Sequence, residues 1–110
     1  MAVSTNNIRN AFTPYGNADV LQAAFLLLAA GHLGDAETLP HVVELVTTRA
    51  AQAIGLSPTD YGTAPGCTAD LVVLDTYRVS DVVLDVPARR WVLKNGRITV
   101  HTQVDTTIVR

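Results

Sequence analysis

The chain has 110 residues, room for one domain at most. Hydrophobic residues make up 48% and charged residues only 16%, which excludes an intrinsically disordered segment. A net charge of −2 without a Lys/Arg run gives nucleic acid no electrostatic footprint, and the single cysteine, Cys67, excludes an internal disulfide and a cysteine-based zinc site and suits a reducing, cytoplasmic setting.

"MAVSTNN" has neither a basic n-region nor an apolar h-region, so it does not read as a signal peptide. Residues 2 to 4 are expected to end a short buried strand. Thr5 to Asn17 follow as a polar loop, with Pro14 and Gly16 as breakers. This stretch admits two readings. It is either a loop whose side chains cap nearby backbone groups, or the edge of an active site whose other parts lie outside this chain.

The spacing predicts a first helix from about Ala18 to Ala30. Asn17 is its expected N-cap, Asp19 sits in the first turn, and Gly31 or Gly34 ends it. Leu21, Ala24, Phe25 and Leu28 form one stripe, and Leu26 and Leu27 widen it, so the helix is expected to be sandwiched between neighbours. The run Val20 to Leu33 contains Gln22, Gly31 and His32 and is too short to cross a bilayer; no membrane partner is expected.

A second helix follows from Leu39, Val42, Val43, Val46, Ala50, Ala53 and Ile54, which recur at i, i+3, i+4, i+7. Thr38 is its expected cap, Pro40 is tolerated in the first turn, and Gly55 is a left-handed stop. "SPTDYGTAPG" is loop chemistry, "ADLVVLD" (69–75) a short strand, and residues 78 to 85 a helical turn. "RRWVLKNGRITVH" reads as a hairpin turning at Asn95-Gly96, and a last strand is expected around Thr106 to Val109. Helices first and strands after give an α+β fold.

Taken together, these segments resemble the C-terminal portion of metal-dependent amidohydrolases. "GTAPGCTADLVVLD" is similar to the family's G-x3-G-x2-A-D-L-V-x2-D segment, and "WVLKNGRITV" to the hairpin after it. "VTTRAAQAIGL" resembles the helix preceding both. "NNIRNAFTPYGNADVLQAAFLL" resembles the segment after the last barrel strand in the cytosine deaminase-like branch, which includes triazine-ring aminohydrolases. The likeness runs from residue 3 to about 103 in order and spacing.

The resemblance implies that residues 1–56 correspond to the end of a (β/α)₈ barrel: a strand 8 remnant, the active-site loop and two helices. Residues 57–110 would correspond to strands of the appended β-sandwich, the two parts making one compact unit. It implies for the parent family a divalent metal, zinc or iron, and a small heterocyclic substrate whose non-peptide C–N bond is hydrolysed. The chain itself is expected to hold no intact metal site. The family's H-x-H is missing, and His32, His41 and His101 are isolated.

Aligned on "NIR", Asn6 falls where the family has an aspartate that ligates the metal and takes a proton from the attacking water. An amide is a weak neutral ligand and no base near pH 7, and losing a positioned base costs roughly 10²- to 10⁴-fold in rate. Asn7 and Arg9 match the positions near the bound heterocycle, and Asn10 replaces a second aspartate. The expectation is therefore a C-terminal amidohydrolase fragment, inactive alone, whose partner is a missing barrel portion or a second copy. The rival expectation is a non-catalytic protein that self-associates through its apolar helix and exposed sheet edge.

Overall fold

The computed structural model describes residues 1–5, 8–11, 13 and 15–110. Its elements follow in the order α1 (Val20–Gly31), α2 (Thr38–Val46), α3 (Thr48–Ala53), β1 (Leu71–Leu74), α4 (Val79–Leu84), β2 (Arg89–Lys94) and β3 (Arg97–His101). The fold is α+β, as the sequence implied, with the three strands in one antiparallel sheet of order β1-β2-β3.

Helix α1 starts two residues later than its apolar pattern suggests. Ala18 has a left-handed backbone (φ 63°) and so cannot belong to it, and the N-cap is Asp19 rather than Asn17. Asp19 Oδ1 accepts from the Leu21 and Gln22 amides at 2.9 and 3.4 Å, two of the donors that a helix start leaves without an internal partner. Asn17 caps one step earlier, its Oδ1 accepting from the Asp19 amide at 3.0 Å. The helix ends as expected after Gly31. His32 takes the left-handed position (φ 52°), and the Leu33 amide reaches back to the Leu28 carbonyl at 3.1 Å.

The long second helix of the sequence reading is two helices broken at Thr47. There φ is −125° and ψ −100°, and the Thr47 hydroxyl donates to the Val43 carbonyl at 2.8 Å. Two adjacent β-branched threonines, one bonding back into its own helix, favour such a break. The break changes which face is covered. Leu45, outside the predicted stripe, is buried, whereas Ala53 and Ile54, inside it, are exposed. Thr38 is the first helical residue rather than the cap, and the Asp35 carboxylate receives its amide at 2.9 Å and its hydroxyl at 2.6 Å. The predicted stop at Gly55 (φ 86°) forms a full C-terminal motif: Leu56 N–H to Ala51 O and Gly55 N–H to Gln52 O, both 3.0 Å.

The core lies among the helices. Leu21, Ala24 and Leu28 of α1 meet Leu39 and Val42 of α2 and Val83 of α4, and β1 adds only Leu74 at the edge. Among the described residues α1 is therefore covered on one side, not sandwiched; Phe25 and Leu26 remain exposed.

The hairpin forms as expected, with Asn95 and Gly96 at φ 50° and 74° as a two-residue turn requires. Leu71 pairs with Leu93 and Val73 with Trp91; across the hairpin Val92 pairs with Val100 and, past a register shift, Leu93 with Ile98. The Trp91 and His101 rings stack with centroids 3.7 Å apart and 7° between planes.

Two expected strands do not form. Residues 2 to 4 have no strand beside them among the described residues, and Val3 N–H bonds instead to the Leu45 carbonyl at the end of α2, at 3.0 Å. Residues 106 to 109 carry no strand either. Ile108 and Val109 find no apolar face to lie on and stay exposed, and a strand needs such a face to gain from pairing.

Candidate functional site

The segment from Thr5 to Asp19 and the first half of α1 enclose an open cleft of about 570 Å³. The loop contributes Thr5, Ile8, Arg9 and Tyr15 to it, and α1 contributes Gln22 and Leu26. The volume lies within the range of small-molecule sites, about 300–1,000 Å³. Its lining mixes polar side chains, among them Arg9, Tyr15, Asp19 and Gln22, with the apolar Ile8, Ala23 and Leu26, so it offers both orientation and packing.

Among the described residues of the loop, Arg9 (φ 48°), Gly16 (φ 100°) and Ala18 (φ 63°) are left-handed. Glycine takes this conformation freely; arginine and alanine do so when their surroundings hold them there. At Arg9 the holding is direct. Its amide donates to the Tyr15 carbonyl at 3.1 Å and its Nε to the Gly16 carbonyl at 2.9 Å, so one residue closes the loop on itself. Within that closure the Asn10 amide donates to Thr13 O at 2.9 Å, and Asn10 Oδ1 accepts from the Thr13 amide at 3.0 Å.

Of the residues singled out in the sequence, Arg9 lines the cleft. Asn6 and Asn7 lie outside the described residues; their chain neighbours Thr5 and Ile8 both line it. The histidines are not brought together. His32 ends α1, His41 Nδ1 lies 3.6 Å from the Glu44 carboxylate, and His101 stacks on Trp91. Among the described residues no group of three or more His, Cys, Asp or Glu is placed to hold a metal ion.

One feature of the site escaped the sequence. The Asp19 carboxylate, besides capping α1, takes a two-pronged ion pair from Arg89 at the start of β2, Nη1 to Oδ2 at 2.7 Å and Nη2 to Oδ1. Their side chains are 16% and 30% exposed. Asp19 read alone is an ordinary helix-start charge, and no local signal ties it to an arginine 70 residues away.

The carboxylates held below their ordinary pKa range all lie off the cleft. The Thr38 hydroxyl and then its amide lower Asp35. Arg49 and then His41 lower Glu44. Lys94 and then the Asn95 amide lower Asp70.

No protein-family model matches the chain. It is 32% identical over 104 residues to N-isopropylammelide isopropyl amidohydrolase of Pseudomonas sp. (strain ADP), across 94% of this chain and 26% of that protein. It superimposes on N-isopropylammelide isopropylaminohydrolase from Burkholderia multivorans ATCC 17616 with a TM-score of 0.74 and 34% identity, over 83% of this chain and 23% of that one. On 5-methylcytosine deaminase from Klebsiella pneumoniae, liganded with phosphonocytosine, the TM-score is 0.85 at 23% identity, over 94% of this chain and 25% of that one. The last likeness shows the fold alone. The chain spans about a quarter of the length of the proteins it matches.

Proposed function

We propose that this chain, which matches the C-terminal portion of an amidohydrolase, supplies one wall of an active site that hydrolyses a non-peptide C–N bond on a small amino-substituted heterocycle. The observation that carries the reading is a coincidence of position. Ile8 and Arg9, from the N-N-I-R-N stretch resembling the end of the last barrel strand, line the cleft beside α1, and 104 residues of the chain align with the Pseudomonas enzyme.

In this reading the division falls where the resemblance puts it. Residues 1–56 form the barrel end and the cleft, and residues 57–110 the sandwich strands. The zinc or iron that the resemblance implies would be held chiefly by parts of such an enzyme other than this chain. Asn7 and Arg9 stand where the family contacts its heterocycle. Arg9 orders the loop through Gly16 O and Tyr15 O, so its first role is to shape the wall. Asn6 stands at the proton-accepting position. Water adding to an electron-poor ring carbon must lose a proton as ammonia or an amine leaves, and an amide side chain cannot take that proton near pH 7.

Turnover in this reading needs the remaining three-quarters of the relatives' length, or another polypeptide that stands for it. The exposed apolar faces of α1 and the sheet are the surfaces on which that portion, or a second copy, would seat. The purified 110-residue chain, supplied with zinc or iron and N-isopropylammelide or 5-methylcytosine, is expected to release neither amine nor ammonia. Metal-dependent turnover by the chain alone would sink the proposal.

A further inference from the structure

We infer that Arg89 and Asp19 act together as a positioning pair for the cleft: the sheet, through this ion pair, fixes the loop that carries Arg9. The inference rests on the reading of the cleft given above, and it assigns a role to two residues that the resemblance leaves unassigned.

The contacts form one continuous line. Arg89 grips the Asp19 carboxylate with both Nη atoms. The Asp19 amide is held at 3.0 Å by Asn17 Oδ1. Asn17 follows Gly16, whose carbonyl receives Arg9 Nε at 2.9 Å. Between them stands Ala18, at φ 63° a conformation that an L-residue keeps only where its surroundings hold both ends. One end is held by the Arg9 closure and the other by Asp19.

Two details separate this from an ordinary helix cap. A cap needs only one acceptor oxygen, and asparagine serves as well as aspartate. Here the second carboxylate oxygen faces Arg89 rather than solvent, and the pair is mostly shielded from water, where a forked contact is stronger and more directional than an exposed one. The geometry also demands arginine at 89, because a lysine presents a point charge and no planar fork. The helical core does not depend on the pair. Its buried members are apolar residues of α1, α2 and α4.

Residue-resolved amide hydrogen exchange on the 110-residue chain tests this without substrate, so its outcome is independent of whether the proposed hydrolysis is correct. The Arg9 and Asn10 amides, bonded to Tyr15 O and Thr13 O, report the loop; Leu21 and Gln22 report the cap; α2 reports the core. With Asp19→Asn, the cap amides and α2 are expected to stay protected while Arg9 and Asn10 exchange about tenfold faster, the factor that ~1.4 kcal/mol of local opening represents. Arg89→Lys is expected to do the same. Unchanged loop amides in both variants would reduce Asp19 to a cap and overturn the inference. So would an equal acceleration of every amide, which marks global loosening, or a parent chain whose loop amides are already unprotected.

Discussion

The helices and the sheet of this molecule are finished to different degrees. The helices share a core in which Ala24 and Val83 are wholly buried, whereas every residue of β3 is exposed and Val72 of β1 and Ile98 of β3 remain 54% and 61% accessible. Val72 pairs with Val92 and Ile98 with Leu93, so the two lie on opposite faces, and a sheet with apolar side chains open to water on both sides has its pairing but lacks its covering layers. The helical part closes upon itself, while the sheet is joined to it by Leu74 and by the Arg89–Asp19 pair. The difference teaches that the helices bury an apolar core among themselves while the sheet leaves apolar side chains uncovered among the described residues, in a chain that matches a quarter of a longer enzyme.

If that contrast is right, truncation in the core and truncation on the sheet face have unlike costs. Leu28→Ala is expected to lose about 2–5 kcal/mol, seen as a lower urea midpoint at unchanged slope. A cost near that of a surface change would mean that the helices are not self-sufficient. Gly96→Ala comes next. At φ 74° an added Cβ meets strain rather than a neighbour, so a loss of about 1–2 kcal/mol is expected, read in the same titration.

Asp70 sharpens the comparison through pH. Lys94 and the Asn95 amide hold it below its usual value of 3.8, so its contribution is complete above that value and disappears as pH falls through the lower folded one. The advantage of the parent chain over Asp70→Asn should therefore stay level from pH 7 to about 5, begin to shrink near 4 and vanish only once pH has fallen below the lowered folded value. An advantage that persists in acid would show that the hairpin clamp is not ionic. The smallest effect is expected at Ile98→Thr, within about 0.5 kcal/mol, because the side chain it shortens already faces water. A cost of several kcal/mol there would show that the sheet face is covered in solution by another copy.

Much of this architecture was legible in the residues. Apolar spacing located α1 and α2, Asn95-Gly96 announced the hairpin, and Gly55 marked its helix end, because each signal is local. The break at Thr47 was not legible, since a helical period runs through it unbroken and only the Thr47 hydroxyl bonding to Val43 O reveals the change. The cap was misplaced by two residues because Asn17 and Asp19 are equally good caps, and the left-handed Ala18 between them decides the matter. At the site, the sequence offered Asn6, Asn7 and Arg9 through resemblance. It could not offer Arg89, whose relation to Asp19 exists only after the sheet has formed beside α1.

The most direct test joins this chain to the preceding three-quarters of the Pseudomonas N-isopropylammelide enzyme in place of that enzyme's own C-terminal quarter. Amine release from N-isopropylammelide is then followed for the chimera with Asn6 and with Asn6→Asp. The account predicts faint release with Asn6 and a gain of roughly 10²- to 10⁴-fold on restoring the carboxylate. A well-folded chimera in which the two release amine at the same rate would contradict it.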